Sequence, residues 1–314
     1  MTEKKQPPIF IIGVARSGTT LFSLMLDSHP RIAIPNESHF ITDLYKKKAL
    51  WENLENRANR ETLVKTILNE RYVREWEVPV KLEDIDLDKC VSYAATIDQV
   101  FSAYARAHNK DIWGDKTPKY LFDIDILHKL FPNARYIHII RDGRDVALSF
   151  LQQWFGPNDF VSAMRFWERN VTFIRKMLNM LPDSQSIEIK YEDLVARPEE
   201  NLKMVTGFLE LPFYENMLSS YTEKAAHKVG ERIKAHHANL SKPLDPELTF
   251  KWKKKLSRAD QAIAWEIAGP LLQELGYEPG TTDYKLKFIK KGYHRLYESI
   301  RWRFKSGTTA LLYL

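Results

Sequence analysis

The chain has 314 residues, of which 44% are hydrophobic and 28% are charged, a composition that excludes a disordered or fibrous protein. A single cysteine, Cys90, excludes an intrachain disulfide framework and favours a reducing, cytoplasmic location. The net charge is +6. Eight basic and two acidic residues in the segment 281–314 account for all of it, so residues 1–280 are neutral and nucleic-acid binding is not indicated.

The N-terminal stretch predicts neither a signal peptide nor a membrane anchor. Charged residues and prolines precede its short apolar run, Ile9–Ile12, and a glycine-containing turn follows. No apolar run in the chain reaches the ~18 residues that a membrane-spanning helix needs. We therefore expect a soluble protein.

Short β-branched runs alternate with amphipathic helical segments along the chain. The runs that predict strands are Ile9–Ile12, Arg31–Ile34, Tyr136–Ile140 and Ile187–Lys190. The segments that predict helices are one that begins near Leu21 and ends near His29, and then Phe160–Leu178, Glu199–Leu209 and Arg258–Leu275. This alternation is typical of βαβ units and a parallel sheet. We therefore predict an α/β fold in one domain, residues 1–280.

Two segments depart from this alternation. Residues 38–110 are charged and helical in pattern, and we interpret about 40–110 as a helical insertion that covers the edge of the sheet. Residues 222–258 are polar and contain several prolines, which predicts a loop region.

The turn after the first predicted strand has the composition of a phosphate loop. Gly13 and Gly18 bracket four residues, and a helix follows, so backbone N–H groups and the helix N-terminus can bind an anion. A Walker loop would have Lys where Thr19 stands, followed by Ser or Thr at Thr20, and the cation of this loop is Arg16. The pattern predicts a P-loop-like three-layer fold. The alternative is a βα turn with Arg and Ser on the surface.

A second anion site is predicted at the end of the strand Tyr136–Ile140. Arg141 follows this strand, and Ser149 lies two turns into the next helix. A guanidinium and a hydroxyl in these places can hold a phosphate. The alternative is a helix-capping ion pair between Arg141 and Asp145. Two anion sites on one sheet imply a ligand with two separated anionic groups.

These motifs resemble those of the sulfotransferases that use 3′-phosphoadenosine 5′-phosphosulfate (PAPS). GVARSGTT is similar to their 5′-phosphosulfate loop, and RDGRDVALS to their 3′-phosphate motif. The tyrosylprotein sulfotransferase-like branch is the most similar. That branch has Arg in the loop, and it also has counterparts of the segments MLDSHP, Asp115-Lys116-Thr117 and YEDL. A weaker similarity lies at Ser241-Lys242-Pro243.

The resemblance implies roles for individual residues. The residues that would hold the 5′-phosphosulfate are Gly13, Arg16, Ser17, Gly18, Thr19 and Thr20. Arg141 and Ser149 would hold the 3′-phosphate, Tyr191 would line the nucleotide pocket, and Lys242 would be a further phosphate contact. PAPS would be the donor, 3′,5′-ADP the product, and no metal would be required.

Transfer of a sulfuryl group to a hydroxyl needs a base and cations near the leaving oxygen. The resemblance implies that Glu37 is the general base, and His39 is the rival base because imidazole suits proton transfer near neutral pH. Arg16 and Lys116 would neutralise charge on the bridging oxygen. Glu37 could instead complement a helix dipole, and Lys116 could be a surface lysine. The segment Lys251–Lys255 is either a solvated face or a contact for acidic ligand groups.

The competing hypotheses are a P-loop NTPase or small-molecule kinase, and a non-catalytic module that binds anionic lipids. The missing loop lysine argues against the first, and so does Arg141, which stands where an acidic metal ligand is expected. The pair His236-His237 has no further ligand at metal-binding spacing.

The acceptor is not fixed by these motifs. Protein-tyrosine enzymes of this branch are secretory, membrane-anchored and disulfide-bearing, so we expect a hydroxyl-bearing small molecule, lipid or glycan rather than protein tyrosine. The segment 281–314 is basic and amphipathic. It predicts peripheral membrane contact, or packing on the body or on another subunit, and the oligomeric state stays open.

Overall fold

The computed structural model describes residues 6–228 and 244–281 of the chain. Its centre is a sheet of five parallel strands in the order β2-β3-β1-β4-β5. The strands are β1 Ile9–Ile12, β2 Ile32–Ala33, β3 Ile112–Asp115, β4 Arg135–Ile140 and β5 Ser186–Lys190. The predicted α/β fold with a parallel sheet is confirmed.

Both faces of the sheet are buried, because alternate strand residues enter two separate hydrophobic cores. In β1, Ile9 and Ile11 belong to one core, while Phe10 and Ile12 belong to the other. Side chains of a strand alternate between faces, so an apolar run of four residues fits a strand covered on both sides.

Helices cover both faces and complete a three-layer arrangement. The helices that contribute to the core of Ile9 and Ile11 are α1 Thr19–Asp27, α9 Tyr191–Ala196, α10 Pro198–Phe208 and α11 Tyr221–Lys228. Those that contribute to the core of Phe10 and Ile12 are α2 Phe40–Tyr45, α3 Arg57–Leu68, α4 Arg71–Arg74, α5 Tyr93–Ala107, α6 Ile124–Leu130, α7 Gly143–Phe150, α8 Phe160–Leu178 and α13 Arg258–Glu274. A short helix, α12 Trp252–Lys255, lies between α11 and α13 along the chain.

The helices α2 to α5 lie between β2 and β3 in the chain and contribute to the core of Phe10 and Ile12. Phe101 of α5 stacks on Trp113 of β3, with ring centroids 4.5 Å apart, and Trp113 in turn contacts Phe10 of β1 edge to face. These helices therefore pack on a face of the sheet and do more than cover its edge.

The predicted loop region 222–258 is partly helical. Helix α11 occupies Tyr221–Lys228, and Lys224 on it reaches the buried carboxylate of Asp27 at 2.5 Å. Tyr221 and Ala225, four residues apart, are buried in the core of Ile9 and Ile11. A helix with so narrow an apolar stripe is difficult to detect from its sequence.

Across residues 6–228 and 244–281, the structure contains no helix that is both long and apolar enough to cross a lipid bilayer.

Candidate functional site

The predicted site residues follow the carboxyl ends of the five strands. Because every strand is parallel to its neighbours, these ends share one edge of the sheet. In spatial order along that edge the residues after the strands are Glu37, Lys116, the loop 13–18, Arg141 and Tyr191. The loop is therefore central, with Glu37 and Lys116 on one side and Arg141 and Tyr191 on the other.

The loop 13–18 has the geometry of an anion-binding turn. Arg16 and Gly18 have positive φ values of 73° and 92°, and the Ser17 N–H donates to the Val14 carbonyl at 3.1 Å. A side chain at Gly18 would collide with the ring of Tyr191, because a Cβ there would lie 2.2 Å from Tyr191 Cδ2. The Ser17 hydroxyl is buried and has no partner among the described residues, as expected of a group that serves a ligand.

The two predicted anion motifs meet. Arg16 Nε donates to the Ser149 hydroxyl at 3.0 Å, although 133 residues separate them. Arg141 donates to the Arg16 carbonyl at 3.5 Å, and its guanidinium lies 4.6 Å from the centre of the Tyr191 ring. These contacts join the loop after β1 to the segment after β4, so one ligand with two anionic groups can reach both.

The ion pair between Arg141 and Asp145, predicted as an alternative to the anion site, is also present. Arg141 Nη2 donates to Asp145 Oδ2 at 3.2 Å. This contact does not use the Nε atom of Arg141, which is buried and has no acceptor in the described part of the chain. The pair therefore orients the guanidinium while a donor stays available.

Glu37 is held by two donors. Lys116 Nζ donates to Glu37 Oε1 at 2.6 Å, and His39 Nε2 lies 2.9 Å from Glu37 Oε2. Burial alone would raise the pKa of Glu37, but the Lys116 ammonium and the His39 hydrogen bond outweigh it and lower the pKa to about 2. Glu37 is thus ionised at neutral pH, and one third of its side chain is exposed, 34% against 8% for Lys116.

His39 is hydrogen-bonded to Glu37. An ionised carboxylate can only accept hydrogen bonds, so the His39 Nε2 atom carries the proton in this contact. The His39 backbone has a positive φ of 56° at the start of α2, and its ring stacks on Tyr72 of α4 with centroids 4.0 Å apart. The strained turn and the stacked ring together fix the imidazole beside Glu37.

Asp115 was not identified as a site residue from the sequence, although it precedes Lys116. It ends β3, it is 1% exposed, and the side-chain hydroxyls of Ser38 and Thr117 lie close to its carboxylate. Burial disfavours the charged form and raises the pKa of Asp115 to about 6. Because β3 itself was not predicted, nothing in the sequence placed this carboxyl beside Glu37 and Lys116.

A buried ion pair behind the second anion motif was also missed. Arg144 and Asp142 form a pair at 2.7 Å, and the Arg144 guanidinium lies 3.5 Å from the centre of the Trp252 ring. Glu192 accepts a hydrogen bond from the Asp142 backbone N–H at 2.9 Å. Burial raises the pKa of Glu192 to about 7. The motif RDGRDV indicated charges here, but only the fold shows which of them face inward.

Several predicted features lie outside the described residues: Lys242, the pair His236-His237 and the segment 282–314. The described residues contain no cluster of three or more His, Cys, Asp or Glu side chains that could hold a metal ion. The membrane or subunit contact of the tail and the cytoplasmic location stay predictions.

Comparison with known proteins agrees with the family resemblance of the two anion motifs. A family model described as "Sulfotransferase family" matches residues 7–215. Protein-tyrosine sulfotransferase A of Caenorhabditis elegans is 27% identical over 286 residues, which cover 88% of this chain and 68% of that protein. Protein-tyrosine sulfotransferase 1 of Homo sapiens is 27% identical over 285 residues, which cover 88% of this chain and 71% of that protein.

Two solved structures share the fold. The sulfotransferase domain of the olefin synthase from Synechococcus PCC 7002 superposes with a TM-score of 0.56 at 24% identity, covering 88% of this chain and 97% of that domain. The sulfotransferase domain from the curacin biosynthetic pathway gives 0.54 at 24% identity, with coverages of 88% and 99%. The predicted P-loop-like three-layer fold and the resemblance to sulfotransferases are confirmed.

The predicted preference for a small-molecule, lipid or glycan acceptor is wrong. It depended on the expectation that this chain has neither an anchor nor a disulfide, and such features report on cellular location and not on the acceptor pocket. The curated relatives of this chain are named for protein tyrosine.

Proposed function

Because the chain belongs to the sulfotransferase family, we propose that it transfers a sulfuryl group from PAPS to the phenolic hydroxyl of a protein tyrosine, with Glu37 as general base. The observation that supports this most is the order of groups along the sheet edge. A carboxylate and an ammonium stand on one side of the anion loop, and a guanidinium and a tyrosine ring stand on the other.

The nucleotide fits the side of the edge that carries Arg141. The loop N–H groups and the Ser17 hydroxyl suit the 5′-phosphosulfate, since this hydroxyl is buried and without a partner in the described residues. Arg141 and Ser149 suit the 3′-phosphate, with Tyr191 packed between Gly18 and the Arg141 guanidinium. Lys242, predicted from the resemblance, would add a phosphate contact.

The transfer step needs one proton acceptor and one cation at the leaving group. The tyrosine O–H gives its proton to Glu37 as its oxygen bonds to sulfur, and the bond between sulfur and the 5′-phosphate oxygen breaks. The electron pair stays on that oxygen, which becomes part of 3′,5′-ADP. Lys116 and Arg16 neutralise its charge, and the carboxylate of Glu37 keeps free lone pairs while Lys116 and His39 hold it.

The acceptor assignment is supported by the curated relatives, two of which are 27% identical to this chain over about nine tenths of its length. The exposed third of the Glu37 side chain faces solvent, where a side chain of a protein substrate can approach it.

The test is a transfer assay with sulfur-labelled PAPS and three peptides that differ at one position, Tyr, Phe or Ser. Label on the tyrosine peptide alone, with stoichiometric 3′,5′-ADP, supports the proposal. No label on any peptide, together with label on a simple phenol or a sugar, contradicts the protein acceptor. A protein that neither binds 3′,5′-ADP nor consumes PAPS contradicts the whole proposal.

A further inference from the structure

Glu37 and Lys116 come from two segments that the sheet itself does not align. Glu37 follows β2, and Lys116 follows β3, 79 residues further along the chain. Strand β2 has two residues and pairs with β3 only through them, so the ladder ends at Ala33, four residues before Glu37. A sheet ladder fixes the register of the residues within it. Other contacts are therefore needed to hold the carboxylate 2.6 Å from the ammonium.

A buried hydroxyl group joins the two segments at the next residue of each. Ser38 follows Glu37, and Thr117 follows Lys116. The Ser38 backbone N–H donates to Thr117 Oγ1 at 2.9 Å. Both residues are 1% exposed, so water does not compete for this contact. A buried N–H without an acceptor is costly, which makes the Thr117 hydroxyl necessary where it lies.

A second contact lies three residues further along each segment. The hydroxyl of Tyr120, in the 3₁₀ helix Pro118–Phe122, is 2.8 Å from Ser38 Oγ. The same hydroxyl accepts from the Ile41 N–H at 2.9 Å, and Tyr120 is fully buried. The contacts at Ser38 and Ile41 bracket His39, whose positive φ of 56° requires support from its surroundings.

Asp115 completes this network of hydroxyl groups. The hydroxyls of Ser38 and Thr117 lie close to its carboxylate, and burial raises the pKa of Asp115 while these two hydroxyls lower it. Tyr120 Oη already accepts from a backbone N–H, so its own proton is left for Ser38 Oγ. Each hydroxyl can then accept one hydrogen bond and donate another. A buried network with every member satisfied favours a single arrangement of the groups that it joins.

We propose that Ser38 and Thr117 are positioning residues that set the geometry of the pair Glu37 and Lys116, an inference that rests on the proposed role of Glu37 as base. Both are buried, so they act through the backbone of the two segments and do not touch the substrate. Without their contact the carboxylate is free to move away from the ammonium. A misplacement of about 1 Å in a reacting group can lower the rate about 10²-fold.

The experiment compares Thr117→Val with Thr206→Val in the labelled-transfer assay. Both substitutions replace a buried hydroxyl by a methyl group, and Thr206 donates its hydroxyl to the Lys203 carbonyl within α10. We expect Thr117→Val to lower kcat by about 10–10²-fold at an unchanged KM for PAPS, whereas Thr206→Val should match the wild type. Thr117→Ser keeps the hydroxyl and should restore most of kcat. Wild-type kcat in Thr117→Val, or an equal loss in Thr117→Val and Thr206→Val, overturns the inference.

The pKa of Glu37, measured by carbon-13 NMR titration, gives a readout that does not depend on turnover. In Thr117→Val the contact with Lys116 weakens, so the pKa of Glu37 should rise above its wild-type value of about 2. Tyr120→Phe removes the second contact and should shift the titration in the same direction. An unchanged titration in both variants overturns the inference. If the wild type transfers no sulfuryl group, the proposed function fails, and the titration alone then decides whether Thr117 positions Glu37.

Discussion

At the scale of single residues, the chemistry of the site depends on how Glu37 is held. Its carboxylate accepts hydrogen bonds from Lys116 at 2.6 Å and from His39 at 2.9 Å. These donors keep it ionised and aligned at neutral pH, but they also make it a weak base. Under the proposed function, Glu37 must take a proton, and any weakening of the Lys116 contact would make its carboxylate more basic.

Glu37→Gln should remove the base and leave nucleotide binding intact. We expect turnover to fall by about 10²–10⁴-fold, the usual contribution of a general base, with an unchanged dissociation constant for 3′,5′-ADP. Both are measured by the labelled-transfer assay and by calorimetry, with the exposed Glu52→Gln as control. Turnover close to that of the wild type would mean that another group takes the proton.

Lys116→Met should raise the pKa of Glu37 from about 2 toward its usual value of 4.5. The reason is that the opposing charge disappears while burial, which raises the pKa, remains. In the wild type the Glu37 carboxylate stays ionised down to about pH 3. In the variant it becomes protonated at a higher pH. Carbon-13 NMR titration of the Glu37 carboxyl measures its pKa in the wild type and in the variant. Identical titration curves would contradict the ion pair.

At the scale of elements, the site depends on a short helix that no motif indicated. Helix α4, Arg71–Arg74, brings Tyr72 onto the His39 ring, and His39 holds Glu37. The region between β2 and β3 thereby contributes to the alignment of Glu37, in addition to packing on the sheet.

Tyr72→Leu should lower turnover by about 2–10-fold, since a stacked aromatic pair contributes about 0.5–1.5 kcal/mol beyond its buried area. Tyr72→Phe keeps the ring and should retain most of the activity. Affinity for 3′,5′-ADP should be the same in both variants, because Arg141 and Tyr191, the residues proposed to contact the nucleotide, lie on the other side of the loop 13–18. Equal turnover in Tyr72→Leu and Tyr72→Phe would show that the ring does not position His39.

At the scale of the whole molecule, the parallel sheet places charged groups at one edge and buries some of them. Asp115 ends a central strand and is buried, with 1% of its surface exposed. Its pKa is raised to about 6 in the folded protein from 3.8, so the native state binds a proton more tightly than the unfolded chain. The contribution of Asp115 to stability is therefore largest below pH 4 and is lost as the pH rises through 6.

Asp115→Asn should stabilise the protein at pH 7 and not at pH 4. The expected gain is about 3 kcal/mol at pH 7, because one pKa unit corresponds to about 1.4 kcal/mol. It should grow between pH 4 and 6 and then stay constant. Urea unfolding at pH 4, 5 and 7 measures it, with the exposed Asp183→Asn as control. A difference that does not depend on pH would contradict the raised pKa of Asp115.

Part of this molecule could be predicted from local patterns. The helix Phe160–Leu178 was predicted with the bounds it has, because its apolar stripe is long. In the structure Asp159 caps its first turn. The strands β1 and β4 were found because a strand buried on both faces forms a mainly apolar run. Strand β5 was found because Ile187 and Ile189 alternate with polar residues. Strand β3, Ile112–Asp115, was missed because a glycine and an aspartate occupy two of its four positions.

The sequence by itself determined the two anion motifs, since glycines, arginines and hydroxyls at fixed spacing act within one turn and one helix. Only the tertiary structure decided that Arg16 reaches Ser149, that Tyr72 stacks on His39, and that the Trp252 N–H reaches Asp145. These pairs are far apart in the chain, and their contact depends on the order of strands in the sheet. That order follows from packing two cores at once, which no local pattern encodes.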